Sequence, residues 1–97
     1  MLTPEGAVKK KVKAILTAHE AYYHMPVQNG MGMPTLDFVC CHKGMYLTIE
    51  TKADGKLMTK RQEDTATAVR AAGGVAFCID GNNLDTLEHW LTMVDSC

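Results

Sequence analysis

The stretch from Gly32 to Lys52, GMPTLDFVCCHKGMYLTIETK, constrains the fold more than any other. Two apolar runs flank Lys43-Gly44, and a two-residue loop containing glycine predicts a β-hairpin. If Lys43 and Gly44 alone form the loop, His42 faces Met45. Counting back along both strands then sets Asp37 opposite Glu50. Side chains alternate between faces, so Lys52 lies on the same face as Glu50. Two carboxylates and a lysine therefore meet at one place on a small sheet. A bulge at Gly44 would shift the pairing by one residue and send Asp37 and Glu50 to opposite faces.

Facing carboxylates need compensation. At ~4 Å and an effective dielectric constant of ~20 they repel by several kcal/mol. Lys52 offsets part of this. A divalent cation offsets more, and hard carboxylate oxygens suit Mg²⁺. The competing structural reading is a solvated polar face with a Glu50–Lys52 ion pair. Under this register Leu36, Phe38, Cys40, Leu47 and Ile49 share the core face. Asp37, Val39, Cys41, Tyr46, Thr48, Glu50 and Lys52 share the other.

The elements on either side follow from local signals. Thr3-Pro4-Glu5 opens a helix, with Thr3 as cap, Pro4 in the first turn and Glu5 complementing the positive end. Val8, Val12, Ile15 and Leu16 repeat at helical spacing, while Lys9, Lys10, Lys11 and Lys13 occupy much of the remaining circumference. That cluster is either a solvated face or a track for a phosphate backbone. A short strand is expected within Ala21–Val27, flanked by His19 and His24, which read as surface or half-buried residues. A loop follows over Gln28–Pro34, where Gly30 and Gly32 allow a turn or close backbone approach to a ligand. Asp54-Gly55-Lys56 turns the chain. Thr59 with Gln62 three residues on forms a capping box, which gives Gln62 a structural role of its own. That helix runs to about Ala72 and stops at Gly73-Gly74. Val75–Ile79 is a buried strand, parallel to a hairpin strand because a helix intervenes. Asn82–Asp85 offers caps for a last helix with Leu84, Leu87, Leu91 and Val94 inward and Trp90 packing. The expected order is α-β-β-β-α-β-α.

At 97 residues the chain is expected to form one domain, residues 1–97, with one modest core. No apolar run reaches membrane-spanning length, and the charged, helical start does not read as a signal peptide, so an intracellular location without membrane contact is expected. Four cysteines, at 40, 41, 78 and 97, contain no CxxC pair. They fit neither a disulfide framework nor a ribbon-type zinc site, and zinc held by Cys40, Cys41, His42 and a distant histidine lacks the usual spacing. Cys40 and Cys78 fall in apolar runs and read as small core residues. The formal net charge of −1 does not advertise nucleic-acid binding. All ten Lys and Arg, however, lie before residue 71, and the remainder carries four acids and no basic residue. A local positive patch is compatible with that distribution, as is an uneven solvated surface.

Pro34-x-x-Asp37, followed by a turn and Ile49-Glu50-Thr51-Lys52, resembles the PD-(D/E)XK nuclease superfamily. Gly32–Phe38, Gly44–Lys52, Gly55-Lys56, Thr59-Lys60-Arg61-Gln62 and Ala71–Gly74 narrow this to a resemblance to the VRR-NUC family, especially its short stand-alone phage and bacterial members. The likeness spans Glu5 to about Gly81. It implies an α/β, restriction-endonuclease-like αβββαβ core, a small mixed sheet flanked by helices, here with an extra C-terminal helix. It implies a metal-dependent DNA endonuclease of replication, repair or recombination, selective for branched or junction DNA, with Asp37, Glu50, Lys52 and Gln62 catalytic. Mg²⁺ or Mn²⁺ would be held by Asp37, Glu50, the Thr51 carbonyl and Glu5, the last through water. Lys52 would position or activate the attacking water. Lys9, Lys10, Lys13, Lys56, Lys60 and Arg61 would contact the nucleic acid, and junction-resolvase-like members imply a homodimer. One departure stands out: Thr35 and Leu36 separate Pro34 from Asp37, where many members have the acid next to proline. A shift of two keeps the side chain on the same face. The alternative function is a non-catalytic nucleic-acid-binding or assembly module on the same fold.

Overall fold

The computed structural model describes residues 2–28 and 32–97. The elements run α1 (Pro4–Ala18), β1 (Tyr22–His24), β2 (Phe38–His42), β3 (Met45–Thr51), α2 (Lys60–Ala71), β4 (Val75–Ile79) and α3 (Leu84–Asp95). The order matches the expected one. Of the loop expected over Gln28–Pro34, residues 29–31, including Gly30, lie outside the described residues.

The hairpin sets the frame. Lys43 and Gly44 both take positive φ, 51° and 82°. Two such residues make the primed turn whose twist matches paired strands, and no bulge intervenes. The register runs from His42 opposite Met45 to Phe38 opposite Ile49. β1 pairs antiparallel with β2, and β4 pairs parallel with β3. The sheet is therefore mixed, in the order β1-β2-β3-β4.

Helices cover both faces. Thr3 caps α1 by accepting from the Gly6 N–H at 3.0 Å, and Val8, Val12 and Leu16 line its buried side. With Leu87 and Leu91 of α3 they pack on Phe38, Cys40, Leu47 and Ile49. Trp90 meets Phe77 edge-on with ring centroids 6.1 Å apart, a packing role. The other face is thinner: Leu36, Ala66 and Ala76 form a small cluster flanked by Met58 and Val69 of the α2 segment. Leu36 thus differs from the expectation that it joins Phe38 and Cys40. The chain bends at Asp37, just before β2, and alternation does not carry through the bend. Asn83 also differs from a simple cap. Its side chain accepts from the Asp80 N–H at 2.8 Å and donates to the Cys78 carbonyl at 3.0 Å, leaving no side-chain bond to α3.

A polar cluster closes the hairpin-turn end on the α1–α3 side. Asp95, at the end of α3, lies 2.6 Å from His42 Nε2 and 2.6 Å from His19 Nδ1. His19 Nε2 also meets Glu88 at 3.1 Å. His42 is 2% exposed, so this carboxylate is its link to charge in an otherwise apolar face. Hydrogen bonds to Asp95 and Glu88, against the opposing effect of burial, raise the His19 pKa, and its bonds to His19 and His42 lower that of Asp95. The cysteines stand apart from it. Cys40 is buried, with its thiol pushed up to about 12 by desolvation, while Cys41 is exposed on the opposite face. Adjacent strand residues cannot both reach one ion, so a zinc site using Cys40, Cys41 and His42 together does not form.

Candidate active site

The expected convergence lies at the other end of the hairpin, on the α2 side. One step beyond Phe38–Ile49 sets Asp37 opposite Glu50. Glu50 sits in the penultimate position of β3, which is flanked by β2 and β4 and faces α2. It is only 3% exposed. Its Oε2 accepts from Gln62 Nε2 at 3.0 Å. Lys52 Nζ is 3.9 Å from the same oxygen, at the outer limit of an ion pair. Burial, then the charge of Asp37, push the Glu50 carboxyl up to about 7, against the pull of Lys52. The lysine therefore leaves the two acids only partly compensated.

Asp37 is held by a residue whose side chain had no assigned role. Its Oδ2 accepts from the Thr51 backbone N–H at 3.0 Å and from the Thr51 hydroxyl at 2.7 Å. Continuing the ladder would pair Leu36 with Thr51, but the bend turns Leu36 away and the Asp37 carboxylate takes up that N–H instead. Thr51 is fully buried, so this anchor is shielded from water. The sequence signal for it was the register, which puts Thr51 beside the acid.

Gln62 fills both expected roles. Its Oε1 accepts from the Thr59 N–H at 2.9 Å, and Thr59 Oγ1 accepts from the Gln62 N–H at 3.2 Å, completing the capping box. The amide nitrogen is left free to hold Glu50. One side chain thereby ties the start of α2 to the buried acid.

α1 brings its first turns toward this end. Lys9 Nζ bonds Glu5 Oε2 at 3.1 Å. Burial works against the Lys9 charge, but the Glu5 bond and the charges of Asp37, Glu5 and Glu50 outweigh it and raise its pKa. Glu5 is thus tied to Lys9, which faces the two acids. Lys10, Lys13 and Lys56 are exposed, Lys60 pairs with Asp64 at 3.1 Å, and Arg61 is exposed beside Gln62. The loops leaving β3 and β4 are cross-tied: Asp54 accepts from the Gly81 N–H at 2.7 Å, and Asp80 from the Gly55 N–H at 3.2 Å. A Cβ at Gly81 would come 2.5 Å from Asp54 Oδ1, so a side chain there would push the Asp54 carboxylate out of this bond.

The donor set can be tested against a hard cation. Among the described residues no three His, Cys, Asp or Glu side chains are grouped to hold one ion. Two carboxylates are at hand, and the Thr51 carbonyl projects to the same side of β3 as its N–H, toward Asp37. All are oxygen donors. Few protein ligands plus several waters is the arrangement Mg²⁺ favours, so the residues fit such an ion.

No protein-family model matches the chain, and no curated protein matches it. A solved structure described as a VRR_NUC domain superposes with a TM-score of 0.71 over 97% of this chain and 92% of that one, at 19% sequence identity. No helix among the described residues is long and apolar enough to cross a membrane. The likeness establishes the architecture: this chain has the fold of a VRR_NUC domain.

Proposed function

We propose that this protein is a nuclease that hydrolyses phosphodiester bonds in DNA with Mg²⁺ or Mn²⁺, acting on branched substrates as a homodimer. The observation that carries this is the buried Glu50 facing Asp37, with Lys52 too distant to neutralise both. A fold that needed only stability would not keep two facing acids at the end of its sheet.

Asp37, Glu50 and the Thr51 carbonyl would hold the ion, with Glu5 reaching it through water. The ion's chemistry is charge withdrawal from a phosphate and a lowered pKa for bound water. The remaining work falls to the chain. Lys52 sits where negative charge develops on the phosphate and orients the attacking water. Gln62 fixes the Glu50 carboxylate, and Thr51 fixes that of Asp37, so neither reorganises as charge moves. Lys9, Lys10, Lys13, Lys56, Lys60 and Arg61 contact the DNA backbone, a salt-sensitive term. Cutting two strands of a branch symmetrically calls for two sites related by a two-fold axis, hence a dimer.

The test is cleavage of labelled four-way and flap DNA against linear duplex, with Mg²⁺, Mn²⁺ or EDTA, alongside sedimentation of the free protein. Branched DNA cut only with metal is expected, and Glu50→Gln and Lys52→Ala should each lower cleavage by about 10²–10³-fold. Cleavage at the wild-type rate in both variants overturns the assignment. DNA binding with no cleavage under either metal would make the chain a binding module on a nuclease fold.

A further inference from the structure

The surface beside the candidate active site carries a second feature that the site itself does not use. Between the β2–β3 turn, the approach to β2 and the outer side of α2 lies a cleft of about 1030 Å³. That is at the upper end of the range for small-molecule pockets. Its lining is mostly apolar, including Met33, Pro34, Val69 and the ring of Tyr46; at its edge Lys60 pairs with Asp64 at 3.1 Å, and Arg61 beside them leaves the edge net positive.

Tyr46 is 48% exposed although it lies in the sheet. Its ring rests against the chain at Gly74, where an added Cβ would come 3.0 Å from Tyr46 Cδ1 and 2.8 Å from Val69 Cγ1. The ring is thus supported by Gly74 while about half the residue stays open. Thr35 also lines the cleft, and its hydroxyl oxygen is buried without a hydrogen-bond partner among the described residues. A buried hydroxyl without a partner is unusual enough to need a reason.

We infer that this cleft receives an unpaired base of a DNA strand, stacked on Tyr46, with the strand's phosphates drawn to Arg61 and to Lys60 beside it. Tyr46, Thr48 and Glu50 alternate onto one face of β3, so Tyr46 and Glu50 are about 13 Å apart along the strand. A base held there belongs to the same strand segment as a phosphate at Glu50. The pairing of a supported aromatic surface with a cationic edge is how proteins hold single strands. Fully paired DNA keeps its bases stacked inside the duplex and has nothing to place in an apolar cleft. The chemistry therefore favours substrates that expose a few unpaired nucleotides.

The inference rests on the nuclease reading for its choice of ligand, and it is tested without turnover. In EDTA, a short single-stranded oligodeoxynucleotide carrying one fluorescent adenine analogue is titrated with the protein. Saturable quenching of the base is expected. Tyr46→Ala should weaken affinity about tenfold, within the range for one stacked base, and Tyr46→Phe should restore it. An oligonucleotide of abasic sugars should bind wild type and Tyr46→Ala alike. Equal binding of the fluorescent strand by wild type and Tyr46→Ala, both folded by circular dichroism, overturns the inference. So does a Tyr46→Ala protein whose sedimentation changes while its DNA affinity does not, which assigns the cleft to a second copy. Metal-dependent cleavage with no Tyr46 effect on binding sinks this inference alone. Tyr46-dependent binding with no cleavage under Mg²⁺ or Mn²⁺ sinks the nuclease reading and leaves the base site standing.

Discussion

Two charged clusters sit at opposite ends and on opposite faces of one hairpin, and they are built on opposite rules. At the turn end, Asp95 lies between His19 and His42, with Glu88 behind, so each carboxylate meets an imidazole nitrogen. At the far end, Glu50 and Asp37 face each other, and Lys52 stands 3.9 Å away. The first arrangement joins α1, β2 and α3 through a residue almost without solvent exposure. The second keeps like charge crowded together, with Lys52 and Lys9 relieving it only in part. Compensation marks a joint, and crowding marks a place prepared for something positive to arrive. Burial is similar for His42 and Glu50, at 2% and 3%, so burial alone does not tell the two apart.

Substitutions at the crowded end should produce the largest changes. Glu50→Gln and Lys52→Ala are each expected to lower cleavage by about 10²–10³-fold, the scale for losing one preorganised electrostatic contact. In EDTA at pH 8, Glu50→Gln should melt above wild type, because one of two facing carboxylates is gone; a lower melting temperature would deny that the acids are in conflict. The compensated end should behave the other way round. Asp95→Ala leaves the buried His42 without its partner and should lower the urea midpoint of unfolding, with cleavage by the folded fraction unchanged. If it abolishes cleavage in fully folded protein, the two ends are not independent.

A smaller effect separates holding an acid from being one. Thr51→Val removes the 2.7 Å hydroxyl bond to Asp37 but keeps the 3.0 Å backbone bond. A roughly tenfold drop in activity is expected, with tighter dependence on metal concentration, and Thr51→Ser should recover it. The smallest is a pH profile of the turn-end cluster. The raised His19 pKa contributes stability at low pH that is lost as pH rises through its folded value, above 6.5. The lowered Asp95 pKa contributes stability at higher pH that is lost as pH falls below 3.8 toward its folded value. The difference in unfolding free energy between wild type and Asp95→Ala should therefore peak between those limits and decline on both sides. A flat difference would show that the cluster acts by shape and not by charge.

The fold was largely legible because the hairpin turn was. Lys43-Gly44 set the register, and with it the meeting of Asp37 and Glu50. Helix caps at Thr3 and Thr59 were equally local signals. Leu36 was misread because strand alternation was carried past the bend at Asp37, where the backbone stops obeying it. The Asp95 cluster was invisible for another reason: His19 and Asp95 are 76 residues apart, and a single sequence holds no trace of that pairing. Gln62 was legible twice over, as a cap and as a partner of the motif, and the two readings looked like rivals. They are compatible because an amide has two ends.

That double use has a dynamic consequence. The amide cannot follow Glu50 and stay on Thr59 if the carboxylate swings away, since one rotation would move both ends. Anything that pulls Glu50 out of place should loosen the opening turn of α2, and Lys60 and Arg61 ride on that turn. Slowed or quickened amide hydrogen exchange at Thr59 and Gln62 would then report, from outside the carboxylates, whether they are engaged.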